Sequence, residues 1–226
     1  MITVHHLENS RSQRLVWLLE ELGQVYDIKR YARDPATLRA PAELRAVHPL
    51  GKAPVLEHDG RVVAESGAIV EYLVGMFDTD REFSPRSDAP DDAERMAWRY
   101  WMHYAEGSLM SPLLLNLVFN RVRTAPMPFF AKPIARSIAD KALATAVRPQ
   151  LNLQLDHVEQ TLAQSPWFAG ERFSAADIQM SYPIEAASHR APSADRPRTA
   201  DFLQRIRARP AFQRAIERIG PLQPLA

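Results

Sequence analysis

The sequence predicts an α/β domain with the element order βαβαββα, followed by an all-α helical domain. Three observations lead to this prediction. Strand-like and helix-like patterns alternate in the first part of the chain, the dipeptide Asp59-Gly60 stands between two short β-rich runs, and helix-period patterns dominate after a polar stretch at residues 78–92. Because that stretch contains prolines and is typical of a linker, we place the domains at residues 1–79 and 90–226.

The first strands are predicted on either side of a helix. Ile2–Leu7 is a β-rich run, and Ser10–Leu22 carries an apolar stripe with helical spacing. Gly23 follows the last residue of the stripe, where a helix commonly ends. Val25–Tyr31 alternates again, which predicts a second strand. A βαβ unit of this kind favours parallel strands.

The rest of the first domain is predicted to contain a polar helix, a hairpin and a final helix. Asp-Gly is the strongest short hairpin signal, because both residues of a tight hairpin turn adopt a positive φ. The predicted elements are a helix at Ala36–Val47, strands at Ala53–His58 and Arg61–Ala64, and a helix at Ser66–Phe77.

Long helical patterns interrupted by proline define the second domain. A proline inside a helix removes a hydrogen bond and crowds the preceding turn, so we expect bends near Pro112 and Pro149. The predicted elements are helices from Asp91 to about Arg123 and at Ile134–Ala163, Ser174–His189, Thr199–Ala208 and Pro210–Ile219, with a loop at Thr124–Pro133.

Composition excludes several classes of function. The 226 residues include 28 basic and 27 acidic side chains, and this balance argues against a protein that binds nucleic acid by broad phosphate neutralisation. Without cysteine, the chain has no disulfide, no thiolate metal site and no cysteine nucleophile. The opening MITVHHLENS lacks the pattern of a signal peptide, and the longest apolar run, Pro112–Phe119, is too short for a membrane span. We therefore expect a cytoplasmic protein.

Two short segments have features that suit the binding of a peptide. Pro54 stands at the entrance of a predicted strand, where an isolated proline is most simply an edge residue. A cis bond after Ala53 would instead let Val55 offer its main chain to an extended peptide. Ser66 begins an apolar-periodic helix after Glu65; it either caps that helix or, with the free N–H groups of the helix, holds a carboxylate.

The turn Asn9-Ser10-Arg11-Ser12 places hydroxyls near the start of the first helix. A serine at such a place is commonly an ordinary N-cap. The helix N-terminus also stabilises anions, so a hydroxyl donor here would favour the thiolate form of a bound thiol. Further along the chain, Ser174-Ala-Ala-Asp177 has the spacing of a capping box, which we interpret as structural.

Four segments together resemble the soluble glutathione S-transferase family, over nearly the whole chain and in the family's order: NSRSQRLVWLLEELG, HPLGKAPVLE, ESGAIVEYL and FSAADIQMSYP. The first domain is then thioredoxin-like, and the chain is closest to serine-type members from bacteria and fungi. The resemblance implies that Ser10 stabilises the glutathione thiolate, with Asn9 and Ser12 as alternatives. It implies glutathione as co-substrate and no metal or organic cofactor.

The same resemblance assigns roles to the peptide-binding candidates. Pro54 lies in the family's cis-proline segment, Val55 would pair with the cysteinyl main chain, and Glu65 and Ser66 would hold the γ-glutamyl group. Lys52 would pair with the glycine carboxylate. The remaining implied features are a small hydrophobic electrophile, a detoxification role and a homodimer, with no nucleic-acid partner.

An aromatic cluster on the first long helix supplies candidates for the electrophile site. His103 and Tyr104 are our choices, although packing within the helical domain explains such a stripe equally well. Two other functions fit the same sequence. One is a non-catalytic binding or scaffold protein with this fold. The other is a glutathione-dependent peroxidase or isomerase that uses the same thiolate.

Overall fold

The computed structural model describes residues 1–34, 37, 39–190 and 196–222. A four-stranded sheet in the order β2-β1-β3-β4 forms the centre of the first domain. Strands β1 and β2 are parallel, whereas β3 runs antiparallel to both β1 and β4. The strands are β1 (Ile2–Leu7), β2 (Tyr26–Tyr31), β3 (Val55–His58) and β4 (Arg61–Ala64).

Ten α-helices lie in the described residues, and the predicted order of βαβαββα followed by helices is confirmed. They are α1 (Ser12–Glu21), α2 (Glu43–Val47), α3 (Ser66–Phe77), α4 (Ala93–Tyr104), α5 (Met110–Thr124), α6 (Lys132–Ala142), α7 (Arg148–Gln164), α8 (Ala175–Arg190), α9 (Pro197–Arg207) and α10 (Pro210–Ile219). No helix in these ranges is long and apolar enough to cross a membrane. Residues 78–92 contain neither helix nor strand, and the domain limits 1–79 and 90–226 stay a prediction.

One hydrophobic core extends from the sheet through α1 and α3 into the helical domain. Helix α1 lies at its centre, packed against α3, α8 and α10. Its Trp17 is fully buried, with its ring 5.6 Å from that of Phe173 and 5.0 Å from that of Phe212. Because neighbouring elements surround α1, the turn before it is attached to a rigid support.

The turn chemistry of the first domain follows the sequence closely. Gly23 adopts φ +62° just after α1, and the Asp59-Gly60 turn has φ values of +47° and +78°, as a tight hairpin requires. Helix α1 begins at Ser12 and not at Ser10, with Arg11 in the capping position. Ser10 therefore belongs to the turn and not to the helix.

The helix predicted at Ala36–Val47 is wrong in its first part and right at Glu43–Val47. Ala36 lies outside the described residues, residues 39–42 are not helical, and α2 begins at Glu43. Pro41 explains the late start, because a proline disfavours the helical conformation of the residue before it. Leu44 of α2 is fully buried against Leu7 and Tyr31. This short helix therefore covers the ends of β1 and β2.

Each long helix of the second domain is divided by a π turn. Residues Ala105–Leu109 form the first π turn, between α4 and α5, and Leu143–Val147 form the second, between α6 and α7. Both long helices are therefore interrupted near the prolines, by π turns that precede them. A helical proline crowds the carbonyl four residues earlier. For Pro112 and Pro149 that carbonyl lies inside the π turn, where the wider coil relieves the contact.

Candidate functional site

Two serine hydroxyls and a histidine form a buried hydrogen-bonded chain where β1 ends and α1 begins. The Oγ atoms of Ser10 and Ser12 lie 2.7 Å apart, and Ser12 Oγ lies 2.8 Å from Nδ1 of His6. The backbone N–H of Ser12 also donates to Ser10 Oγ at 3.3 Å. All three side chains are buried, so these bonds are sheltered from water.

A cavity of about 150 Å³ lies beside this chain. His6, Asn9, Ser10 and Gln13 line one side of it, and residues 219–222 line the other. Asn9 has φ +51°, a left-handed conformation that asparagine tolerates better than most residues. Ser12 is fully buried and does not line the cavity. Of the hydroxyl-bearing residues Ser10 and Ser12, Ser10 is therefore the one that lines the cavity.

The environment of His6 keeps its imidazole neutral. Burial lowers the pKa of His6 to about 4; the charge of Arg30 lowers it further, whereas that of Glu8 opposes this shift. A neutral imidazole has one protonated nitrogen, which donates, and one bare nitrogen, which accepts. The state of Nδ1 therefore decides the direction of the hydrogen bond between His6 and Ser12.

The start of α3 has an unusual backbone and lacks a side-chain cap. Glu65 adopts φ +71°, a conformation rare for residues other than glycine and frequent at ligand sites. It occupies the capping position, but its side chain makes no capping hydrogen bond. Ser66, the predicted cap, is instead the first residue of the helix. The first N–H groups of α3 therefore receive no capping hydrogen bond from the residue in the capping position, Glu65.

A buried arginine of α1 fixes the hydroxyl of Ser66. Nη2 of Arg14 donates to Ser66 Oγ at 2.9 Å, while its Nη1 donates to the main-chain carbonyl of Gln179 at 2.6 Å. The Arg14 side chain is fully buried. Helix α1 thus connects both parts of the site, since it follows the first-turn hydroxyls and carries the cation that holds Ser66.

The carboxylate that neutralises Arg14 comes from the first π turn. Glu106 Oε1 accepts from Arg14 Nη2 at 2.6 Å, and Nε of Arg11 donates to both carboxylate oxygens, at 2.9 and 2.8 Å. Both guanidinium groups also lie over the ring of Tyr182, 5.3 and 5.4 Å from its centroid. Burial alone would raise the pKa of Glu106, but the two cations outweigh it and hold that pKa below its usual range.

Sequence reasoning missed His6, Arg14 and Glu106. For Arg14 a signal exists, because a charged residue within the apolar stripe of a buried helix requires a partner. For Glu106 no local signal exists, since its partners lie 92 and 95 positions away in the chain.

The other peptide-binding candidates lie at the start of β3. The expected cis bond between Ala53 and Pro54 is present. Val55 begins β3, opposite His5 of β1 and Ala64 of β4. Lys52 is exposed three residues before Val55. Their roles in binding a peptide stay predictions.

The two candidates for an electrophile site, His103 and Tyr104, both line a cavity of about 520 Å³ beside α4. His103 also lines a cavity of about 450 Å³ between α3, α4 and the segment that joins them. Tyr104 is buried, and its hydroxyl donates to the main-chain carbonyl of Gln154 at 3.2 Å. Neither residue lines the cavity beside Ser10, and their role in binding an electrophile stays a prediction.

Family models, related sequences and a solved structure all match the chain to the same protein family. Family models described as "Glutathione S-transferase, N-terminal domain" and "Glutathione S-transferase, C-terminal domain" match residues 1–75 and 120–210. Glutathione S-transferase 1 of Saccharomyces cerevisiae is 34% identical over 98% of this chain and 97% of its own. Glutathione S-transferase 3 of Schizosaccharomyces pombe is 40% identical over 83% of this chain and 74% of its own. A crystal structure of a glutathione S-transferase from Actinobacillus pleuropneumoniae has a TM-score of 0.79 and 33% identity, and covers 100% of this chain and 97% of that one.

Proposed function

The chain belongs to the glutathione S-transferase family, and from that premise we propose that Ser10 is the residue that stabilises the glutathione thiolate. The protein is a glutathione transferase, with a thioredoxin-like first domain and a helical second domain. The observation that supports Ser10 is its position on the cavity wall, with Ser12 buried behind it. Asn9, which also lines the cavity, is the alternative.

The chemistry requires an anion to be held near an electrophile. The Ser10 hydroxyl would donate to the thiolate sulfur, and the N-terminal end of α1 would add a favourable field. The thiolate then attacks an electrophilic carbon, a C–S bond forms, and the leaving group departs with its electron pair. Holding both reactants in one cleft supplies the rest of the rate enhancement. Peroxidase or isomerase chemistry would begin from the same thiolate.

The γ-glutamyl group is proposed to bind at the start of α3. The uncapped helix end and the Ser66 hydroxyl would receive its carboxylate, and Glu65 would pair with its ammonium. Because Ser66 accepts from Arg14, its own proton remains for the ligand. Val55 would pair with the cysteinyl main chain after Pro54, and Lys52 would pair with the glycine carboxylate.

Replacing Ser66 by alanine is expected to weaken glutathione binding about tenfold or more. The variant loses a hydrogen bond to a charged group, which is worth roughly 1.5–3 kcal/mol. Isothermal titration calorimetry measures the change. Ser188→Ala is a suitable control, because Ser188 is an exposed residue whose hydroxyl donates to the carbonyl of Glu185 on α8. Unchanged affinity in Ser66→Ala would remove Ser66 from the binding site.

Glu106→Gln should weaken glutathione binding roughly three- to tenfold, because a neutral amide holds Arg14 less firmly and Arg14 fixes Ser66. Glu94→Gln provides a matched control, since Glu94 pairs with Arg172 and the two glutamates are equally exposed, at 31%. If Glu106 acts through Ser66, Glu106→Gln should add little to the loss in a Ser66→Ala background. Additive losses would argue that Glu106 stabilises the helical domain only.

A homodimer and a cytoplasmic location stay predictions, as do a small hydrophobic electrophile and the roles of His103 and Tyr104 in binding it. The homodimer is supported by large apolar side chains that remain exposed on the helical domain, since such surface marks association sites. They include Met96, Tyr100, Leu114, Leu115, Val118 and Val122.

A further inference from the structure

The hydrogen-bonded chain behind Ser10 has a direction, and that direction decides whether Ser10 can stabilise an anion. Each hydroxyl carries a single proton. If Ser10 donates to Ser12, no proton of Ser10 is left for the cavity, and a thiolate would meet only lone pairs. If Ser10 accepts from Ser12, its proton is free to point into the cavity.

The second arrangement places a requirement on His6. Once the Ser12 proton is given to Ser10 across 2.7 Å, Ser12 Oγ can only accept from Nδ1 of His6 across 2.8 Å. Nδ1 must then carry the imidazole proton. A competing acceptor for the Ser12 proton, the carbonyl of Leu7, lies 3.4 Å away, which is long for an O–H donor.

The backbone N–H of Ser12 completes the second arrangement. It donates to Ser10 Oγ at 3.3 Å. With a further proton accepted from the Ser12 hydroxyl, both lone pairs of Ser10 Oγ are filled. Ser10 is then left with its own proton as its free hydrogen-bonding group.

We propose that His6 and Ser12 are positioning residues that orient the Ser10 proton toward the glutathione sulfur, with the imidazole proton of His6 on Nδ1. The relay runs from His6 Nδ1–H to Ser12 Oγ, from Ser12 O–H to Ser10 Oγ, and from Ser10 O–H to the thiolate. No proton is transferred along it. This inference rests on the proposed role of Ser10 as the thiol-stabilising residue.

A neutral His6 can carry its single ring proton on either nitrogen, whereas a charged His6 would carry protons on both. Burial and the positive charge of Arg30 lower the pKa of His6, and the charge of Glu8 opposes this shift. The ring is therefore neutral near pH 7. A neutral ring has two tautomers, and the glutathione thiolate selects the one with the proton on Nδ1.

The first test is the pH dependence of turnover at saturating glutathione. Ser12→Ala and His6→Leu break the relay and should raise the apparent pKa of the bound thiol by roughly 0.5 to 1 unit, because one neutral hydrogen bond is lost behind Ser10. Ser12→Thr keeps the hydroxyl, and His6→Asn places an amide N–H near the position of Nδ1. Both should return the profile toward that of the original enzyme.

The outcomes separate this inference from the proposed role of Ser10. If Ser10→Ala leaves the profile unchanged, the role of Ser10 fails. If Ser10→Ala shifts the profile while Ser12→Ala and His6→Leu do not, only the relay fails. Circular dichroism identifies any variant that is misfolded.

The second test observes the relay in the unmodified enzyme, and a variant serves only to assign the signals. Nitrogen-15 NMR of the labelled enzyme with glutathione bound reports which imidazole nitrogen of each histidine carries a proton. His6→Asn, which removes one set of signals, assigns those of His6. A proton on Nδ1 is expected. A proton on Nε2 in the glutathione complex would overturn the relay.

Discussion

Ser10→Ala is expected to raise the apparent pKa of the bound glutathione thiol by about 1 to 2 units. A hydrogen bond to a charged group is worth roughly 1.5–3 kcal/mol, and one pKa unit corresponds to about 1.36 kcal/mol. Below the original pKa, turnover with a model electrophile should fall roughly tenfold for each unit of the shift. Glutathione affinity should change little, because the hydroxyl is proposed to contact only the sulfur. The pH dependence of turnover at saturating glutathione measures the shift.

Two further variants in the first turn control this experiment. Asn9→Ala also changes a residue of the cavity wall, and the role would move to Asn9 if that variant alone shifted the profile. Ser12→Ala should give a smaller shift than Ser10→Ala, because Ser12 is buried behind it. If no variant shifts the profile, the donor is a main-chain N–H or another residue.

Asp177→Ala is expected to destabilise the protein by roughly 3 to 5 kcal/mol, because each buried donor left without an acceptor costs about 1–3 kcal/mol. The Asp177 carboxylate is fully buried and accepts three hydrogen bonds. The backbone N–H of Phe168 donates at 2.9 Å, the N–H of Ser174 at 2.8 Å, and the Ser174 hydroxyl at 3.1 Å. Chemical denaturation followed by circular dichroism measures the loss.

Asp92→Ala is the matched control for Asp177. Asp92 caps α4 by accepting from the N–H of Arg95 at 3.0 Å, but it is partly exposed. Removing such a cap costs about 1 kcal/mol. Equal losses in the two variants would contradict the structural role that we assign to the buried capping box. Glutathione affinity should remain unchanged in the folded fraction of both variants.

Local sequence patterns were sufficient for much of the first domain. The cap at Gly23, the Asp59-Gly60 turn and the limits of α3 all depend on a few neighbouring residues, and the structure has each as expected. The cis bond before Pro54 came from the resemblance to a family, since an isolated proline gives a weak signal.

Tertiary contacts explain what the sequence did not predict. The bond from Arg14 to Ser66 joins residues 52 positions apart, and the ion pair of Arg14 with Glu106 joins residues 92 positions apart. No local pattern carries such pairings. The helix predicted from Ala36 begins only at Glu43 for a different reason, because Pro41 disfavours the helical conformation of the residue before it.

The first π turn also sets the helical phase of everything that follows it. Without the wider coil at Ala105–Leu109, the same residues would carry α4 into α5 as a regular α-helix, and each later residue would rotate by about 100° around the axis. Leu113, now fully buried, would turn to the exposed position that Leu114 holds. Pro112 would again crowd the carbonyl of Ser108. The extra residue of the first π turn therefore keeps the buried side of α5 facing the core.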